Sequence, residues 1–474
     1  MGIEPNEKSK SGKTSRVPKA DKSHGDDDGK ANSRSRKPIE GLPARQAACA
    51  AFTTVLNDHI PLDEALETVF AGEQTKSGGK RLDDRDRRFA RALTIVAFRH
   101  FGAIDQRLKR FLRKPLPKKT EIVRNILRLG LAQLDHMDVP DHAAVSLTVE
   151  LARSDAVASH FIPLVNGVMR AASRDPSPAP GRAQTVPAWL WRRWRSAYGE
   201  QNARSILQAL VTSPDLDISV KSDPERWAQD LGGTVLPTGS VRIKDKTAVE
   251  DLPGYHEGEW WVQDAAATLP VGLLGPVAGL DVLDLCAAPG GKSAQLLAAG
   301  AKATLVDISA NRLKRLKTNL KRLHLDAEII VADILDWSPD RQFDAVLLDA
   351  PCSATGTIRR HPDVPLTKTE DDIGALAALQ SAMLERVKAW VKPGGTLVYC
   401  TCSLEPIEGE ERVAEFLANN GDFVRRPVDS AEIGALPGAI TELGDVRTLP
   451  FMTFPDSDGF GIDGFFISRL DRIS

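Results

Sequence analysis

The segment Asp281–Ser309, DVLDLCAAPGGKSAQLLAAGAKATLVDIS, decides the fold. A short apolar run, VLDL, meets a turn of small residues containing Gly290 and Gly291. Helical apolar spacing follows, Gly300 stops it, and a second apolar run, ATLV, ends in Asp307. Apolar run, glycine turn, helix and apolar run make a strand–helix–strand unit. The theme continues through NRLKRLKTNLKRL, EIIVADI, DAVLLDAPC, a helix around 375–391 and TLVYCTC. This alternation predicts a doubly wound α/β fold with a parallel sheet from about residue 249 to the end. Ligands of such sheets lie beyond the carboxyl ends of the strands.

Those strand ends carry the chemistry. The first strand runs through Asp284 into the loop Cys286, Ala287, Ala288, Pro289, Gly290, Gly291 and Lys292. The second ends at Asp307, the third at Asp333, and the fourth at Asp349, which precedes Pro351 and Cys352. The fifth ends at Cys400, Thr401 and Cys402. Small loop residues let a ligand approach the backbone, and the helix that opens there favours a carboxylate or phosphate. Asp307 lies 23 residues after Asp284, placed to meet a ribose diol, and Asp333 stands where an adenine amino group would lie. Each acid alone reads as a cap or a turn; in register with the loop they read as an adenosyl-ligand site. No GxGxxG is present and no phosphate-cradling glycines precede the GKS, which disfavours a nicotinamide cofactor and ATP.

Four of the five cysteines, Cys286, Cys352, Cys400 and Cys402, fall on this rim. The chain has no apolar signal core at its N-terminus and no run long enough to span a membrane, so a cytosolic enzyme with reduced thiols is expected. A four-thiolate metal site would want CxxC-type pairs and has only one CxC, so no metal is expected. Ordinary buried packing suits Cys400 and Cys286. Cys352 and Cys402, just past strand ends and beside Asp349, suit chemistry on a pyrimidine. A thiolate adding to carbon 6 makes carbon 5 nucleophilic, a carboxyl group on ring nitrogen 3 stabilises the developing charge, and a base then removes the carbon 5 proton. Spacing alone leaves open which thiol does which task.

The rest of the 474-residue chain, at 42% apolar and net charge −2, reads as further globular domains. Residues 1–40 are too polar to bury a core and are expected to be a disordered tail. Residues 41–175 have helical spacing almost throughout, as in EIVRNILRLGLAQL, HAAVSLTVELAR and FIPLVNGVMRAA, and predict an all-α bundle. Its basic stretches KRLDDRDRRFAR and KRFLRKPLPKKT could touch phosphates or be solvated helix surface. From 176 to 248 a Pro-rich linker leads to one or two helices and a small α/β module. Residues 249–474 form the strand-and-helix domain. Trp260-Trp261 could offer a stacking platform, core packing being their commoner fate.

As a set, LDLCAAPGGKS, DAPCSATGTIRRHPD, VYCTCSLEPIEGE and DGFFISRL resemble the Sun-type RNA (cytosine-C5) methyltransferases. The helical front, with LRLGLAQL and LVNGVMR, resembles the NusB-type domain of their RsmB branch. The resemblance covers the chain from about residue 41 onward. It implies a Rossmann-like methyltransferase domain, S-adenosyl-L-methionine as cofactor, and RNA, small-subunit ribosomal RNA above all, as the partner of a monomeric cytoplasmic enzyme. It assigns Cys286, Ala287, Ala288, Pro289, Gly290, Gly291, Lys292, Asp307, Asp333 and Asp349 to the cofactor. Cys402 becomes the nucleophile that bonds carbon 6 of a cytidine, with Asp349 beside it and Cys352 assisting release. Val262-Gln263-Asp264 matches a family signature and is expected near the cofactor. Arg359, Arg360 and His361 are expected to clamp target phosphates. Two departures, Val364-Pro365-Leu366 where the family commonly has Ile-Lys-Trp and a longer FMTFPDSDGFGID, could line the RNA entrance. The alternative of another class is an RNA-binding assembly factor whose methylation site is vestigial; it would not bind the cofactor.

Overall fold

The apolar stripe of EIVRNILRLGLAQL becomes the central helix of a bundle. Among the described residues seven helices build it: α1 (Leu42–Asp58), α2 (Leu62–Thr75), α3 (Asp84–Arg99), α4 (Phe101–Phe111), α5 (Glu121–His136), α6 (Asp141–Ser154) and α7 (Ile162–Arg174). Val123, Ile126, Leu127, Leu129 and Leu131 of α5 are fully buried, each such side chain contributing roughly 1.5–3 kcal/mol relative to exposure. Gly130 is required by close approach: a Cβ there would lie 2.7 Å from Met169 Sδ of α7 and 2.9 Å from Thr148 Cγ2 of α6. The start of α3 is capped by Asp83, whose carboxylate accepts from Asp86 N–H at 2.8 Å.

The computed structural model describes residues 39–75, 82–112, 114, 116–175, 186–244, 247–455, 457 and 461–474. The tail through residue 38, the Pro-rich stretch at 176–185 and part of FMTFPDSDGFGID lie outside the described residues. From Gly41 to Ser474 the chain packs as one unit. No helix among the described residues is long and apolar enough to cross a membrane.

After the bundle comes α8 (Ala188–Leu210), broken at Gly199, whose φ of 77° interrupts the helix. A small four-stranded sheet follows: β1 (Leu216–Val220), α9 (Pro224–Asp230), β2 (Thr234–Val235), β3 (Val241–Ile243) and β4 (Trp260–Val262), ordered β2-β3-β1-β4. Its fourth strand comes from beyond residue 248, because β4 pairs antiparallel with β1 through Trp260, Trp261 and Val262.

The larger domain runs α10 (Ala265–Gly272), β5 (Asp281–Leu285), α11 (Gly291–Ala298), β6 (Lys302–Asp307), α12 (Ala310–Arg322), β7 (Glu328–Val331), β8 (Phe343–Asp349), α13 (Val364–Thr367), α14 (Glu370–Val387), β9 (Val391–Thr401), α15 (Glu410–Asn419), β10 (Phe423–Arg425), β11 (Val446–Arg447) and β12 (Phe466–Arg472). The sheet order is β10-β12-β9-β8-β5-β6-β7, with β11 on β12. Strands β5 to β9 are mutually parallel, whereas β12 pairs antiparallel with β9 and β10 with β12. The expected parallel sheet is therefore a mixed one. FFISRL returns without a crossover helix and slots in beside β9, which an antiparallel neighbour can do and a parallel one cannot.

Alternate residues of the central strands feed two cores. Leu347, Val398 and Cys400 pack on the α10 side, while Val346, Leu348, Leu397 and Tyr399 pack against α14 and α15. Burial on both faces is why these strands are continuously apolar in sequence. Chain order reverses at β5, with β6 and β7 on one side and β8 and β9 on the other. The crevice at that switch point lies beyond the ends of β5 and β8.

Candidate active site

The loop leaving β5 is held in an uncommon shape. Cys286 has φ 59° and Gly290 φ 104°, and the Ala288–Pro289 peptide is cis. A Cβ on Gly290 would sit 3.0 Å from Leu316 Cγ of α12, so glycine serves both conformation and space there. Beneath the loop Asp284 is fully buried; Ser293 Oγ donates to its Oδ2 at 2.5 Å, and its Oδ1 has no partner. Burial pushes this carboxyl up to about 7; Ser293 and Lys292 oppose the shift, and Asp349 and Asp307 add to it. The unfolded carboxyl titrates near 4, so the folded protein binds an extra proton between the two values. Stability from this group is full below about pH 4 and is lost as pH rises towards 7. Asp284→Asn should therefore melt higher than wild type at pH 8, by on the order of 4 kcal/mol at most. The difference should shrink at pH 5. Calorimetric melts of both proteins across pH 4–8 check this, and a pH-independent difference would refute it.

Asp307, at the end of β6, is buried. Its Oδ2 accepts from Ala288 N–H at 3.2 Å, and its Oδ1 from Ser309 N–H at 2.8 Å and Arg312 Nη2 at 2.9 Å. Each carboxylate oxygen can accept about two bonds, so Oδ2 keeps capacity for one more donor. Asp333 is half-buried two residues past β7, and its Oδ1 accepts from Leu335 N–H at 2.9 Å. A loop of small residues, two acids at successive strand ends and an unpartnered buried oxygen on Asp284 fit an adenosyl ligand carrying hydroxyl and amino donors. Gln263 adjoins the loop: a Cβ on Gly291 would lie 3.7 Å from its Cδ, and its own amide is held by Ser219, Trp261 and Gln295. Asp264 instead caps α10 and pairs with Arg360.

At the end of β8 Asp349 keeps 29% of its side chain exposed and meets Lys292 Nζ at 2.7 Å. Cys400 Sγ lies 3.4 Å from Asp349 Oδ1 and is fully buried in the sheet, as expected of a packing residue. Cys286 is half-buried against the sheet core, and burial foremost raises its thiol above the ordinary range. Cys352 and Cys402 are half-buried and meet across the rim, Sγ to Sγ at 3.4 Å. The hydrogen bond to Cys402 and then burial hold the Cys352 thiol well above its ordinary range. The four rim cysteines do not gather as metal ligands, and no such group of His, Cys, Asp or Glu occurs among the described residues.

Other expected positions fall elsewhere. Arg359 is 2% exposed, and its carbonyl accepts from Arg99 Nη2 of α3 at 2.9 Å. Arg360 is paired with Asp264 at 2.5 Å and Asp463 at 3.1 Å. Neither guanidinium faces outward to a phosphate: Arg359 is buried against the bundle interface, and Arg360 pairs with two buried acids. His361 alone of the three is exposed. Val364-Pro365-Leu366 does not stand at an entrance. Leu366 packs on the bundle core, its carbonyl meets His59 Nδ1 at 3.1 Å, and Asp363 Oδ2 caps α2 by accepting from Leu62 N–H at 3.0 Å. Trp260 and Trp261 are core residues.

Several supporting residues gave no sequence signal. The loop after Cys402 is braced by α8: Trp194 Nε1 donates to Glu405 Oε1 at 2.9 Å, Tyr198 Oη to Leu404 O at 2.5 Å, and Arg193 pairs with Glu405. Arg447 reaches Ser403 O from β11. Glu408, lost in an acidic run, lies buried under both cysteine loops.

Comparison with known proteins shows which family the chain resembles. The model of the 16S rRNA methyltransferase RsmB/F family matches residues 271–471, and that of the NusB family matches 42–174. The chain is 37% identical over 454 residues to ribosomal RNA small subunit methyltransferase B of Serratia proteamaculans, covering 90% of this chain and 98% of that protein. It is 37% identical over 398 residues to the protein of the same name from Shewanella oneidensis, covering 80% and 90%. Among solved structures it resembles PH0851, with TM-score 0.71 and 24% identity over 92% of this chain and all of that one. It also resembles NSun6 from Pyrococcus horikoshii with SFG, with TM-score 0.52 and 19% identity over 61% and 98%. The two structures speak for the fold.

Proposed function

Because the chain belongs to the 16S rRNA methyltransferase RsmB/F family, we propose that Cys402, Asp349 and Cys352 methylate carbon 5 of a cytidine in small-subunit ribosomal RNA. When bound, S-adenosyl-L-methionine supplies an electrophilic methyl group. The residues that would hold it are the loop from Cys286 to Lys292 with Asp307, Asp333 and Asp349. The observation that carries the assignment is the Cys352–Cys402 approach of 3.4 Å on the rim beside Asp349.

In this reading the Cys402 sulfur bonds to carbon 6, and the carbon 5–carbon 6 π electrons become available at carbon 5. A proton held between the Asp349 carboxyl group and ring nitrogen 3 neutralises the negative charge that develops there, while Lys292 holds that carboxyl group in place. Once carbon 5 is methylated its proton passes to Cys352. The carbon 6–sulfur bond then breaks and the Cys402 thiolate is regenerated. A cytidine stacked in a helix shields carbon 6, so the substrate must be unpaired or flipped out. Residues 41–175 form the NusB-like bundle in this reading, and the chain from α10 onward the catalytic domain.

Incubation with S-adenosyl-L-methionine and 16S rRNA, free or in partly assembled subunits, followed by bisulfite sequencing, tests the assignment. One cytidine should become resistant to deamination. Label entering protein in the absence of RNA, or no label at all, would overturn it; absent cofactor binding would favour the assembly-factor reading.

A further inference from the structure

The two active-site cysteines are each followed by a serine, Ser353 and Ser403, and both serines turn inward to the same carboxylate. Glu408 is fully buried at the end of a short 3-10 turn, Pro406–Glu408. Its Oε1 accepts from the Ser353 backbone N–H at 2.9 Å and from Gln380 Nε2 at 3.1 Å. Its Oε2 accepts from Ser353 Oγ and Ser403 Oγ, both at 2.5 Å. The serine oxygens lie 3.0 Å apart. The carbonyl of the same residue accepts from Tyr399 Oη at 2.8 Å and Thr401 Oγ1 at 3.2 Å, which ties the turn to β9. Gln380 also donates to Pro351 O at 2.9 Å, fixing the residue before Cys352.

All four donors to this carboxylate are neutral, and no Lys or Arg of the described residues forms an ion pair with it. A buried charge is costly unless its hydrogen-bond capacity is met, and here four donors meet it. Removing the charge leaves four donors aimed at a group that no longer accepts them all, and the network is lost as a unit. That asymmetry makes the clamp stiff.

We propose that Glu408 is a positioning residue. By holding the residue after each cysteine, it sets the separation of Cys352 and Cys402, so that one sulfur can bond the base while the other stands within reach of the proton to be removed. The proposal rests on the roles given above to the two cysteines, but the distance it controls can be read without any turnover. Misplacement of reacting groups by about 1 Å costs on the order of a hundredfold in rate.

The test uses the full chain. Glu408→Gln keeps the volume and presents an amide nitrogen where a serine hydroxyl now donates. Three quantities are measured for it and for wild type: S-adenosyl-L-methionine binding by calorimetry, single-turnover methylation of 16S rRNA, and the rate of Cys352–Cys402 disulfide formation with diamide. In the last, two thiols lose two electrons and two protons and the diazene becomes a hydrazine. Cofactor binding should be unchanged, the rate at saturating RNA should fall about a hundredfold with little change in KM, and disulfide formation should slow at least tenfold. Ser403→Ala, which removes one donor and leaves the carboxylate, should give a smaller fall in both rates and serves if the Gln variant does not fold. A folded variant with wild-type disulfide and methylation rates would overturn the positioning role. A wild-type protein that forms the disulfide quickly, slows on substitution and never methylates RNA would keep the clamp and overturn the reaction assigned to it.

Discussion

Cys402→Ala should lose methyl transfer to RNA by 10^4-fold or more, on the order of what removal of a covalent nucleophile costs. Calorimetric binding of S-adenosyl-L-methionine should be retained. The split follows from the geometry. Cys402 lies past the end of β9 and contacts Cys352, whereas the cofactor loop leaves β5, two strands away. Nothing in that loop hydrogen-bonds to Cys402 among the described residues. Fold stability should change little, since Cys402 is half-buried and only edges the core. Methylation retained in the variant would mean that another thiol attacks, and Cys352 is the one within reach. The double variant Cys402→Ala, Cys352→Ala settles it, because neither rim thiol is then left to add at carbon 6 and the residual methylation should disappear.

Cys352→Ala has the opposite signature. Addition and methylation proceed, the carbon 5 proton has no acceptor, and the enzyme stays bound to its RNA. A gel-stable covalent complex should accumulate to near stoichiometry in the presence of S-adenosyl-L-methionine, with multiple turnover reduced by roughly 10^2- to 10^4-fold, the usual worth of a positioned base. Wild-type enzyme should show the pH dependence of this step. The hydrogen bond to Cys402 and burial hold the Cys352 thiol well above its ordinary range. In the adduct Cys402 is a thioether and its hydrogen bond is gone, but burial still holds the Cys352 thiol up, so release should quicken as pH rises into the alkaline range. In the Ala variant that dependence disappears. Release without any pH dependence in wild type, or a variant that turns over without a trapped complex, would remove Cys352 from the step.

Legibility was uneven, and for physical reasons. Period and punctuation are local, so DVLDLCAAPGGKS and ATLVDIS announced a strand, a glycine turn and a second strand without help from the rest of the chain. The rule that ligands sit at carboxyl ends then brought Asp307, Asp333, Asp349, Cys352 and Cys402 to one rim. The structure places them there. Contacts distant in sequence were not legible. Arg359 and Arg360 follow the cysteine loop and look like a phosphate clamp. Their surroundings, Asp264 at the start of α10 and Asp463 in the segment just before β12, are set by tertiary packing. Likewise Val364-Pro365-Leu366 reads as an exposed departure from a family pattern, yet Leu366 lands on the bundle core and Asp363 caps a helix some 300 positions earlier in the chain.

By itself the sequence determined the alternation of strands and helices, the glycine loop, the residue types at each strand end and the presence of a helical bundle ahead of them. These depend on side-chain periodicity and backbone conformation, which act over a few residues. Only the tertiary structure decided that the last long strand runs antiparallel, that two arginines face inward, and that Glu408 rather than its neighbours Glu405, Glu410 or Glu411 lies under both cysteines. Those outcomes depend on which buried donors and acceptors come to face one another. A polar side chain carries no mark in the sequence of whether its partner will be water or another part of the chain.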